Sequence, residues 1–63
     1  MSITGLDVAK EIAIDRVRRS HETICIVQID KNEYILWRYK TIDKLSEAFK
    51  HYKIVVKVGT NDT

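Results

Sequence analysis

Few side chains in this chain could do chemistry, and their spacing decides most of what they are fit for. Cys25 and His21 stand four residues apart, a thiol and an imidazole of the kind that could form a nucleophile and its base. The interval crosses a helix-to-strand junction, however, where such spacing does not bring two side chains within hydrogen-bond reach as it would on one helix. Flanked by Ile24 and Ile26, Cys25 reads as a small buried hydrophobe and His21 as a loop or helix-end residue. Adding His51 still leaves too few soft ligands for a closed four-ligand zinc site. Asp7, Glu11 and Asp15 recur every four residues. On the polar arc of an amphipathic helix, with Lys10 and Arg18 nearby, that row reads as solvated charge and not as acid-base machinery. Two glycines cannot build a phosphate cradle of the usual kind, and no HExxH, paired CxxC or GxSxG pattern occurs. No catalytic residue, metal ligand or cofactor is expected, and an enzyme is the least favoured class.

The cations are the other chemical resource. Arg16, Arg18, Arg19, Arg38 and Lys40, with Lys44 and Lys57, could form a basic surface beside Tyr34 and Tyr39, the mixture used by proteins that hold phosphates and stack bases. Three arginines at a helix end also have a simpler account, because positive charge offsets the negative end of the helix dipole. Glu22, Glu33 and Asp43 lie near enough in sequence to dilute a positive field. Eleven Lys and Arg against nine Asp and Glu leave +2, short of the excess expected of a protein held to DNA mainly by phosphate contacts.

These residues are positioned by a fold of α-β-β-α-β order. Thr4, followed three residues on by Asp7, makes a capping-box-like start, with Ile3 and Val8 as a hydrophobic staple. The spacing predicts a helix over 5–19. Leu6, Ala9, Ala13 and Val17 form its stripe, while Val8, Ile12 and Ile14 widen it beyond what one contact surface covers. The β-branched and aromatic runs 23–30 and 33–40, separated by Lys31-Asn32, predict a hairpin. An even loop sets Ile24 against Tyr39, Ile26 against Trp37 and Gln28 against Ile35, whereas an odd one sets the isoleucines against Arg38 and Lys40; the even register is preferred. Thr41 is expected to cap a helix from Ile42 to about Tyr52, with Ile42, Leu45, Ala48, Phe49 and Tyr52 on one stripe. A third strand follows over 53–58. The expected fold is a single small α+β domain over 1–58, with a three-stranded sheet in spatial order 2-1-3 and two helices. Residues 59–63 form a polar tail, whose Asn61-Asp62-Thr63 matches an N-glycosylation pattern of no weight without a secretory signal.

In the preferred register both sheet faces are apolar. One carries Ile24, Ile26, Ile35, Trp37, Tyr39, Ile54, Val56 and Val58; the other carries Cys25, Val27, Ile29, Tyr34, Leu36 and Val55, with Arg38 and Lys57 toward its end. A domain of this length buries only about 60% of the surface of its unfolded chain, so the second face needs either the first helix or a second subunit. The leading expectation is a small interaction module, a homodimer or the binder of a protein partner, using Val27, Ile29, Tyr34, Leu36 and Val55 with Arg38 and Lys57 as a polar rim. The alternative is a nucleic-acid-binding regulator using Arg16, Arg18, Arg19, Arg38 and Lys40. A single cysteine, no basic leader before an apolar run and no stretch near ~20 apolar residues point to a cytoplasmic chain that does not enter a membrane.

Overall fold

The computed structural model describes residues 2–59. Along the chain it runs through β1 (Ile3–Thr4), α1 (Leu6–Ser20), β2 (Ile24–Asp30), β3 (Glu33–Arg38), a 3-10 segment (Tyr39–Lys44), the single helical turn α2 (Leu45–Ala48) and β4 (Lys53–Val58). The result is a small α+β domain of two helices and one sheet. That sheet has four antiparallel-paired strands in the order β1-β3-β2-β4, so the expected count of three is corrected to four. The hairpin strands and β4 are the three that periodicity indicated; β1 is too short to show any.

The added strand also corrects the start of the first helix. Thr4 does not cap it, because Thr4 pairs with Glu33, and Ile3 with Tyr34. Gly5 occupies the N-cap with φ 93° and ψ 130° and no side-chain cap. Its N–H donates to the Asn32 carbonyl at 3.1 Å, while its own carbonyl accepts from the Ala9 N–H at 3.1 Å. A positive φ lets the chain pass from strand to helix within one residue, which glycine does without the Cβ penalty. Asp7 in the first turn and Arg18 and Arg19 in the last complement the helix dipole.

The hairpin keeps its two-residue connection, with Asp30 opposite Glu33 across Lys31-Asn32, but its register is not the expected one. Ile24 lies opposite Arg38, Ile26 opposite Leu36 and Gln28 opposite Tyr34. Ile29 has no partner; it is the extra residue of a β-bulge between Gln28 and Asp30. One inserted residue turns every later side chain of the pair to the other face. Loop parity therefore does not decide the faces here. A second irregularity leaves Val55 unpaired between Ile54, opposite Val27, and Val56, opposite Ile26.

The faces are redistributed accordingly. Ile24, Ile26 and Tyr34 pack under α1 against Ala9, Ala13 and Val17, joined by Leu36, Val55, Val56 and Val58. Cys25 and Val27 pack on the other side against Leu45, joined by Ile29, Ile35, Trp37, Ile42 and Phe49. Alternation along β2 sends its neighbours to opposite faces, and the helices lie on opposite sides of the sheet. The chain covers each face from within, leaving Ile54 of β4 45% exposed.

The expected helix from Ile42 to about Tyr52 is also corrected. Thr41 is non-helical (φ −114°, ψ 27°) and Phe49 is extended (φ −134°, ψ 139°), leaving only a 3-10 stretch and one α turn. The Trp37 indole N–H donates to the Thr41 carbonyl at 2.7 Å, and Phe49 meets Trp37 edge-on at 6.4 Å and 76°. These two contacts fold the segment over the sheet, and extending the chain at Phe49 leaves it room to reach Lys53.

Candidate functional site

The open end of the hairpin, the end of α1 and the end of β4 meet at one pole of the molecule. α1 stops at His21, which takes a left-handed conformation (φ 58°, ψ 29°) and donates its N–H to the Val17 carbonyl at 2.8 Å. The Ser20 hydroxyl donates to the Arg16 carbonyl at 2.8 Å and accepts from the Glu22 N–H at 3.3 Å, which fixes the turn into β2. Ile24 then has Arg38 on one side and Val58 on the other, and Cys25 has Trp37 and Lys57. The Tyr39 N–H donates to the Thr23 carbonyl at 3.0 Å, tying the residue after β3 to the residue before β2.

This pole holds the candidate phosphate-binding residues other than Arg16. Arg18 and Arg19 stand on the last turn of α1, and Arg38 and Lys40 on the chain beside the start of β2. Arg16 instead borders a recess with Ser2, Ile3, Ile12, Ile35 and Leu36 on the β1 edge of the sheet, whereas Arg18 borders one with Val58 and Gly59 beside β4. Lys57, expected both on the basic surface and as a rim residue, joins them with its ammonium 4.5 Å from the centre of the Tyr39 ring, within cation–π range. Segments 18–23, 38–40 and 57–59 carry five Lys and Arg against Glu22, a local charge of +4, and the other described residues carry −1. Asp15 is engaged by Arg19 at 3.1 Å in an exposed i,i+4 pair; Glu22 has no ion pair among the described residues.

The aromatic residues sort differently from expectation. Tyr34 is buried under α1 at 8% exposure, away from the pole, while Tyr39, expected in the core, is 49% exposed at the pole. The bulge at Ile29 accounts for the change, because it leaves Ile24 opposite Arg38 instead of Tyr39. Tyr39 borders a recess of about 330 Å³ with His21, Glu22, Thr23 and Lys40. The sequence reading missed Glu22 and Thr23 as lining residues. Their signal was faint: two polar residues at a junction whose partner segment depends on the hairpin register.

The residues expected to share one open apolar face are divided between two interiors. Tyr34, Leu36 and Val55 belong to the cluster under α1, and Val27 and Ile29 to the cluster under α2; only Arg38 and Lys57 of that set are exposed. Cys25 is 1% exposed, and burial pushes its thiol pKa up, partly opposed by the Lys57 ammonium. His21 is exposed, so the structure does not unite the two as a pair. Among the described residues no group of three or more His, Cys, Asp or Glu is placed to hold a metal ion, and no helix is long and apolar enough to cross a membrane. Comparison of the chain with family models, with characterised proteins and with solved structures finds no match.

Proposed function

We propose that this chain is a small non-enzymatic module that binds nucleic acid through its basic pole. The observation that carries the reading is the gathering of Arg18, Arg19, Arg38, Lys40 and Lys57 from three separate segments at one end of the molecule, while the other described residues are net negative. A dipolar charge distribution of this kind attracts and orients a polyanion more than the overall charge suggests. The packing of Val27, Ile29, Tyr34, Leu36 and Val55 into the two clusters adds support, because it removes the apolar face expected to meet a partner. Anisotropy titration of a labelled single-stranded oligonucleotide at low salt tests the reading. Binding is expected, with Arg18→Ala and Arg19→Ala together abolishing most of it; absence of binding by the folded wild-type chain overturns it.

A second reading, contact with a protein or a second copy of the chain, rests on α1, which leaves Val8 47%, Ile12 37% and Ile14 43% exposed. These were the residues that widened the helical stripe. Sedimentation equilibrium at micromolar concentration separates the readings, a lone monomer counting against self-association. β4 is a poor edge for pairing, since Val55 bulges and Lys53 and Lys57 place charge along it.

A further inference from the structure

We infer that the recess beside Tyr39 is a nucleobase site, selective for guanine in a single strand; the inference rests on the nucleic-acid reading and names the ligand of that same pole. The recess of about 330 Å³ is lined by His21, Glu22, Thr23, Tyr39 and Lys40, at the lower end of the ~300–1,000 Å³ range of ligand pockets. It offers room for one flat ring system.

Its lining has the chemistry a base requires. Tyr39 presents an aromatic ring that is half exposed although its backbone is fixed to Thr23, so stacking does not first have to order the chain that carries the ring. Lys57 sits over the ring but does not line the recess, so it does not fill the space a base would take. Lys40 lines the recess, where it can meet a flanking phosphate.

Glu22 is the informative residue. A carboxylate in a phosphate-binding surface repels the backbone it sits among, and Glu22 is not neutralised by an ion pair as Asp15 is by Arg19. An ionised carboxylate only accepts hydrogen bonds. Of the base edges it could meet, guanine alone presents two adjacent donors, the N1–H and the exocyclic N2–H, matched to its two oxygens; adenine and cytosine offer only an exocyclic amine. Those guanine groups are engaged by cytosine in a duplex, so the site requires an unpaired base.

The test is an anisotropy titration of three oligothymidine octamers differing in one central nucleotide: guanine, adenine or cytosine. The guanine octamer is expected to bind about tenfold more tightly than the other two, the discrimination of a good bidentate pair. Glu22→Gln should remove most of that preference while leaving affinity for the adenine octamer equal or higher. Tyr39→Ala should weaken all three octamers about tenfold, with Tyr39→Phe restoring them, and amide spectra of each variant confirm that it is folded. Equal affinity for the three octamers, with binding still dependent on Arg18 and Arg19, overturns the base site and leaves the nucleic-acid reading standing. No binding of any octamer at low salt overturns both.

Discussion

Cys25 shows how one residue's chemistry is set by where the fold places it. A thiol between two isoleucines is buried beside Val27 and Leu45, and that burial raises its pKa against the pull of Lys57. The native protein should therefore resist thiol-exchange reagents at about pH 8, close to the ordinary thiol pKa, and react only as it unfolds; modification at the rate of a free thiol would contradict the placement. The linked stability has a definite sign. Below the unfolded thiol's pKa of about 8.5 both states are protonated and the contribution is complete. As pH rises further the unfolded chain loses its proton first, so stability falls until the folded thiol also ionises, with a slope of at most about 1.4 kcal/mol per pH unit. Urea unfolding of wild type and Cys25→Ala across alkaline pH should show that extra slope in the wild type alone.

At the level of the elements, two short features matter more than their length suggests. Gly5 turns β1 into α1 at φ 93°, and a Cβ there would meet only Val8 Cγ2 at 3.9 Å, an ordinary contact. Gly5→Ala should cost about 1–2 kcal/mol from backbone strain alone, measurable as a lower urea midpoint with unchanged slope. The other feature is the single turn α2, whose Leu45 is 0% exposed and is the only fully buried contribution of residues 39–49 to the second cluster. Leu45→Ala should cost ~2–5 kcal/mol, comparable to the ~3–5 kcal/mol a core of this size supplies. Loss of cooperative unfolding followed by Trp37 fluorescence is the expected result. A shift below about 1 kcal/mol would show that the segment does not cover the sheet as described.

For the molecule as a whole, the separation of +4 at one pole from −1 over the other described residues predicts behaviour that net charge does not. If four of the five cations meet phosphates, affinity for a single strand should fall roughly 50-fold between about 50 and 200 mM salt. Lys57→Ala should reduce the salt slope by about one contact, whereas Lys31→Ala, at the hairpin turn away from the pole, should leave it unchanged. Equal effects of the two substitutions would mean that binding follows total charge and not this surface.

Much of this was present in the order of residues. The stripe Ala9, Ala13 and Val17, the bounds of β4, the two-residue hairpin connection and the buried character of Cys25 all follow from local periodicity and side-chain type, which act within a few residues of one another. The cations, too, were legible as candidates. Their convergence was not, because it depends on which strand ends are neighbours. The decisive step is the unpaired Ile29: a bulge inserts one residue without altering loop or composition, yet it exchanges the faces of β3, moves Tyr34 inward and leaves Tyr39 exposed at the pole. Which face a β side chain occupies is a property of pairing between segments, settled by the packing of both helices together, and no local pattern in either strand encodes it.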